Sequence, residues 1–246
     1  MKKYVTTIGV FDGVHIGHQA LFKFMKKIGC EKSLPLKVFV VSYPYEYLQG
    51  RFDGFIIPLK IRIGEILKYV DEVEILDLSR IKDLDPDEFF YKYISDQTAV
   101  LVVGKDFRFG KNAAGTVETL KNLSSEAGIE FFSFDLVMNG SFQKVSSSEI
   151  RQFIKSGQID KVTQLLGRPL ILELLVIGTT TQENVFLVKQ KDELVKLGNG
   201  VYNVEEYYTG KKGLLKVKDM VELVFNEKLL PSSLLTFKVT SKVDQN

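Results

Sequence analysis

The chain has 246 residues, 45% of them hydrophobic and 26% charged, which excludes a disordered or fibrous protein and suits one ordinary domain plus a small one. With 33 basic against 31 acidic residues the net charge is +2, so no global field exists to hold nucleic acid, and an anionic ligand has to be bound by a local constellation. A single cysteine excludes a disulfide framework and a cysteine-rich zinc site.

The N-terminal residues meet Gly9 and Asp12 before an apolar signal core can form, and no run approaches the roughly 18 apolar residues of a membrane span. A soluble, unexported, cytoplasmic protein with no membrane partner is therefore expected. Residues 4–10, 36–42, 72–76, 98–104 and 129–135 are rich in β-formers and alternate with helical periodicity. Such alternation predicts the α/β class with a Rossmann-like parallel sheet. Between the first two strands Ala20, Leu21, Phe24, Met25 and Ile28 recur at the helical period, so a helix starts near Gly17. Cys30, at its far end, is expected as a buried apolar filler.

Asp85-Pro-Asp-Glu88 offers an N-cap, a proline at the first helical position and an acid three residues after the cap. Ser146-Ser-Ser-Glu149 has the form of a capping box, leading into Ile150, Phe153 and Ile154, and a second short helix ends at Gly167. After Arg168-Pro169 the pattern becomes closely spaced strands at 170–177, 184–189, 200–208, 214–218, 220–225 and 232–240. A small antiparallel β-barrel or sandwich follows from this spacing. The expected domains are thus 1–168 and 169–246.

Both histidines of the chain fall in Gly9-Val-Phe-Asp-Gly-Val-His-Ile-Gly-His18, where the first strand hands over to the first helix. Ligands of open parallel sheets bind at such carboxyl ends. Gly13 and Gly17 permit close backbone approach, the amides at the helix start bind anions, and the imidazoles can donate to phosphate oxygens. The bland alternative is an Asp12-Gly13 turn with two satisfied loop histidines. A transition-metal site lacks its third and fourth ligands here, and neither a Walker A loop nor G-x-G-x-x-G matches.

His15-Ile-Gly-His18 resembles the H-x-G-H signature of the nucleotidyltransferase superfamily. Thr7-Ile-Gly-Val-Phe-Asp-Gly-Val-His15, Val103-Gly-Lys-Asp-Phe-Arg-Phe-Gly110, Val145-Ser-Ser-Ser-Glu-Ile-Arg151 and Leu165-Leu-Gly-Arg-Pro169 sharpen the match. Together, in this order over residues 1 to about 169, they resemble the bacterial FAD synthetases, also called FMN adenylyltransferases. The resemblance implies attack of the FMN phosphate on the α-phosphorus of ATP, with Mg²⁺ present, giving FAD and pyrophosphate. It implies catalytic roles for His15, His18, Ser147, Ser148 and Arg151. ATP contacts are expected from these residues and from Phe11, Gly13, Gly17 and Lys144. A flavin and nucleotide pocket is expected from Tyr43, Tyr45, Asp106, Phe107, Arg108 and Phe109, a core role for either ring of Phe107 and Phe109 being the alternative. No resident metal site is expected in the protein.

Two positions depart from the family: Tyr45 stands where a histidine is usual, and Val10 replaces a common asparagine. The family usually carries a fused riboflavin kinase, and Leu197-Gly-Asn-Gly-Val-Tyr-Asn-Val204 resembles that barrel's G-V-Y-x-V strand. The kinase's glycine-rich stretch and Pro-Thr-Ala-Asn tetrapeptide are missing, with no proline between residues 170 and 230. The chain also ends soon after its last strand, without the kinase's terminal helix. Loss of kinase activity is expected, with FMN supplied from elsewhere. Three alternatives stand beside this: a bifunctional enzyme, a nucleotidyltransferase acting on pantetheine phosphate or nicotinamide mononucleotide, and a non-catalytic flavin-nucleotide binding module.

Overall fold

The computed structural model describes residues 3–135, 145–182, 184–225 and 233–243. It forms two compact units, Met1–Phe52 with Ile63–Lys144, and Asp53–Arg62 with Val145–Asn246. The residues between 145 and 168, which the sequence pattern joins to the first domain, thus pack with the barrel.

In the first unit β1 (Tyr4–Gly9), β2 (Leu36–Val41), β3 (Glu72–Leu76), β4 (Thr98–Gly104) and β5 (Glu130–Phe134) form one parallel sheet, ordered β3-β2-β1-β4-β5. The chain winds outward from β1 to β3 and then crosses to the other side of β1. The switch point therefore lies between β1 and β4, where a crevice opens at the carboxyl ends. β1, β2 and β4 are buried along nearly their whole length, and β2 and β4 read as nearly continuous apolar runs, as expected of a parallel sheet covered on both faces. Lys37 is the exception within β2. Burial disfavours its charge, but ion pairs to Glu72 and Glu74, both at 2.7 Å, outweigh that and hold its pKa above the usual lysine value.

The helix Ile16–Lys32 packs on the sheet through Leu21, Phe22, Met25, Ile28 and Gly29. Cys30 is exposed, which corrects the expectation of a buried filler. The buried stripe runs through 21, 22, 25, 28 and 29, so position 30 turns outward with Lys26 and Lys27. Asp85, Pro86 and Glu88 form the expected capping box, the Glu88 carboxylate accepting from the Asp85 amide at 3.2 Å.

In the second unit β6 (Leu170–Thr179), β7 (Val185–Gln190), β8 (Gly200–Glu206), β9 (Lys212–Val217), β10 (Val221–Phe225) and β11 (Leu234–Lys242) close into an antiparallel barrel, ordered β10-β7-β6-β11-β8-β9. Alternate residues such as Tyr202, Val204, Leu215, Leu223, Phe237 and Val239 are buried. Register shifts at Val176/Gly178 and Val239/Ser241 bend the strands enough to close the sheet. Ahead of the barrel the helix Ser147–Lys155 is capped by Ser146, whose Oγ accepts from the Glu149 amide at 3.2 Å. The helix Ile159–Leu166 stops at Gly167, which takes a left-handed conformation.

Candidate active site

The connection from β1 to the helix Ile16–Lys32 is bent far from ordinary backbone. Phe11, Gly13 and Val14 have φ of 50°, 78° and 45°. For a β-branched residue such as Val14 this is a strained conformation, of the sort that surrounding structure imposes at functional sites. It rests on buried side chains: Phe11 sits edge-on to His18 at 5.2 Å and against Phe22 at 5.2 Å. The chain then enters the helix at His15, and the first helical amides lie beside the imidazoles.

The two imidazoles stack, with ring centroids 3.6 Å apart and planes 20° from parallel. His18 is half-buried and lines a cleft, while His15, stacked on it, is only 3% exposed. Burial pushes the His15 pKa from 6.5 down to about 4, so this ring is neutral near neutral pH in the chain by itself. The cleft has a volume of about 390 Å³ and lies at the switch point. It is walled by the end of β1 at Ile8 and Gly9, by Phe11, Gly17 and His18, and by the ends of β4 and β5 at Gly104, Asp106, Phe134 and Asp135.

A second, mostly apolar cleft of about 130 Å³ adjoins the first, sharing Ile8, Gly9, Val10 and Phe107 with it. Tyr43, Tyr45, Phe89, Arg108, Phe109 and Ala113 contribute to its lining. Phe109 belongs to the core as well as to the cleft: it is buried, meets Phe89 at 5.8 Å, and lies nearly parallel to Phe107 at 6.0 Å. The hydroxyl of Tyr45 donates to Asn112 Oδ1 at 2.9 Å, tying the start of the helix Tyr45–Leu48 to the loop after β4.

A family profile described as FAD synthetase matches residues 1–149, more than half of the chain and the whole of this strand-end constellation. The chain belongs to the FAD synthetase family. It is an enzyme, a nucleotidyltransferase of that family. It is 31% identical over 221 residues to the bifunctional riboflavin kinase/FMN adenylyltransferase of Bacillus subtilis, covering 85% of this chain and 69% of that protein. The FAD synthetase of Listeria monocytogenes is 29% identical over 170 residues, covering 67% of this chain and 69% of that one. A crystal structure named as a macrolide-efflux protein from Streptococcus pneumoniae superposes with a TM-score of 0.81, covering 98% of this chain and 86% of that one. At 22% identity it bears on the fold alone.

Within this FAD synthetase fold the site residues named from the sequence fall into separate groups. Phe11, Gly17, His18, Asp106 and Phe107 line the first cleft, and Tyr43, Tyr45, Phe107, Arg108 and Phe109 line the second. Gly13 is buried in the turn that supports them. Ser147, Ser148 and Arg151 lie on a helix of the second unit, and Lys144 falls outside the described residues. Sequence reasoning missed Lys105, Phe134 and Asp135 in the first cleft and Lys82, Phe89 and Ala113 in the second. Lys105 and Asp135 form an ion pair between the ends of β4 and β5. The rule that ligands sit at strand carboxyl ends, applied to every strand and not only to the first, finds both. Among the described residues no helix is long and apolar enough to cross a membrane.

Proposed function

We propose that the chain acts in the cytoplasm as an FMN adenylyltransferase, joining FMN to the AMP portion of ATP, and that residues 1–168 make up its transferase domain. In the proposed step an oxygen of the FMN phosphate bonds to the α-phosphorus of ATP. The bond from that phosphorus to the oxygen bridging it to the β-phosphorus breaks, and pyrophosphate leaves. The flavin phosphate is largely a dianion at neutral pH, its second pKa being about 6, so no protein base has to remove a proton. The demand on the protein is to align two anions and to stabilise the charge that grows on the leaving oxygen.

The observation that carries this reading is the pairing of a polar cleft holding His18 with an aromatic cleft across Phe107. In this reading triphosphate takes the first and the flavin ring system the second. His18 donates to the phosphates and to the leaving oxygen, with His15 setting its ring plane from behind. Ser147 and Ser148, at the start of a helix, and Arg151, on the same helix face, bind phosphate oxygens. Lys144 adds a positive charge. Mg²⁺ enters with ATP, as part of the substrate, its oxygen ligands coming mainly from the phosphates. Among the described residues no group of three His, Cys, Asp or Glu side chains could hold a metal, and Asp106 and Asp135 are single carboxylates on the cleft wall. That donor set suits an ion that brings its own ligands.

In this reading the barrel has lost riboflavin kinase activity, although the curated relatives include proteins named as bifunctional. The connection from β6 to β7 supports it. The kinase tetrapeptide is absent, and Thr180 closes the turn, its amide and its hydroxyl donating to Val185 O at 3.2 and 3.3 Å. The experiment is incubation of purified protein with FMN, ATP and Mg²⁺. FAD and pyrophosphate should appear in equal amounts, and their absence would refute the proposal.

A further inference from the structure

Arg151 is fixed from behind by a segment that precedes it by 97 positions: its Nε donates to the Gly54 carbonyl at 2.8 Å. Gly54 has a φ of +103°, where a residue with a side chain is strained. A Cβ placed on it would come within 2.6 Å of the Val195 amide nitrogen. The next residue is bonded on both sides to the connection between β7 and β8. The Phe55 amide donates to Glu193 O at 2.7 Å, and the Val195 amide donates to Phe55 O at 2.9 Å, forming a parallel bridge with Leu194. Around this segment Asp53 pairs with Lys155 at 2.8 Å, and the Phe55 ring lies 4.6 Å from the Arg62 guanidinium.

The β7–β8 connection is itself braced by the barrel. Buried Gln190 donates from Nε2 to Val195 O at 2.5 Å and accepts from the Leu197 amide at 3.0 Å. The Gly198 amide donates to Ile154 O at 3.0 Å, and a Cβ on Gly198 would collide with the Lys155 carbonyl. One barrel loop thus grips both the 53–57 segment and the last turn of the helix that carries Arg151.

An arginine loses much rotamer freedom when it clamps a ligand, and anchoring its Nε beforehand sets the plane of the guanidinium. We infer that the barrel, in a chain without the kinase tetrapeptide, serves the transfer reaction: its 191–198 loop holds the 53–57 segment, and Gly54 is a positioning residue for Arg151. This rests on the phosphate role proposed above for Arg151.

The test combines kinetics of FMN adenylylation with hydrogen exchange of arginine Nε–H groups followed by NMR on the full chain. The variants are Gly54→Ala, Val195→Pro, which removes the amide donor to Phe55, Arg151→Ala, and the Gly54→Ala/Arg151→Ala double variant. In the wild type the Arg151 Nε–H signal, assigned by its loss in Arg151→Ala, is expected to exchange slowly. Gly54→Ala and Val195→Pro should each lose that protection and raise the KM for ATP about tenfold with kcat within about threefold of wild type. Gly54→Ala should add nothing in the Arg151→Ala background, because both changes remove one interaction. The inference is overturned if the wild-type signal exchanges as fast as an exposed arginine, a measurement that needs no variant of the segment to fold. It is also overturned if KM stays unchanged in segment variants that have lost protection, or if kcat alone falls, as a smaller folded fraction would produce. An unchanged KM in Arg151→Ala refutes the phosphate role itself, and a protected signal then marks the clamp as purely structural.

Discussion

Two imidazoles stacked 3.6 Å apart cannot both be protonated without strong repulsion, about 5 kcal/mol at an effective dielectric constant near 20. Burial assigns the neutral role to His15, whose pKa lies near 4, while His18 lines the cleft wall. The sign of the stability effect follows. Between about 6.5 and about 4 the unfolded chain binds a proton at His15 that the folded chain refuses, so this contribution is present above pH 6.5 and is lost as pH falls toward 4. The loss is on the order of 3 kcal/mol. Urea unfolding of wild type and His15→Asn at about pH 7 and about pH 4 isolates it, because carboxylate titrations are common to both proteins. The gap between them should shift by that amount in favour of the variant at the lower pH, and a constant gap would show that His15 titrates normally. His18→Ala should lower FMN adenylylation by about 10² or more with folding intact, as for loss of a donor aimed at developing charge. Turnover within about threefold of wild type would remove His18 from the chemistry.

At the level of elements, the loop after β4 shows how a binding surface is built on a core residue. Phe109 is held by paired backbone hydrogen bonds with Gly115, at 3.2 and 2.9 Å. A Cβ on Gly115 would fall 2.5 Å from the Phe109 ring, so only glycine lets the ring lie down into the core. Gly115→Ala is expected to destabilise the protein by about 1–3 kcal/mol through overpacking, and to weaken FMN binding more than ATP binding, since Phe109 lines only the aromatic cleft. Thermal unfolding together with separate titrations of the two ligands would check this, and equal weakening of both would point to a general loosening. The same loop was partly legible in the sequence: an acid, a cation and two aromatics marked it, but local spacing does not say which ring turns inward. In the helix Ile16–Lys32 the period was clear, yet Phe22 is fully buried and Phe24 is not, because the stripe is centred by the sheet it meets. The same rotation exposes Cys30.

For the whole molecule, the expected consequence of the missing tetrapeptide is a chain that makes FAD from FMN but not from riboflavin. Phosphoryl transfer depends on ligands that place the nucleotide's metal and phosphates, and the connection between β6 and β7 holds Thr180, Thr181 and Asn184 but neither the Pro-Thr-Ala-Asn order nor the glycine-rich lead that the family resemblance assigns to this task. Riboflavin with ATP and Mg²⁺ should therefore yield neither FMN nor FAD by chromatography, and clear FMN formation would restore kinase function to the barrel.

The alternation of strands and helices, the strand bounds to within a few residues, the helix caps and the histidine loop were all determined by the sequence. Each depends on neighbours only a few positions apart: side-chain period, cap chemistry and turn propensity. The order of strands around the switch point, the meeting of β1, β4 and β5 ends in one cleft, and the depressed pKa of His15 depend on which segments distant in sequence come together. So does the anchoring of Arg151 by Gly54, a contact across 97 positions. Only the tertiary structure decides these, because burial and hydrogen-bond partnership are properties of packed surfaces and leave no periodic trace in the chain.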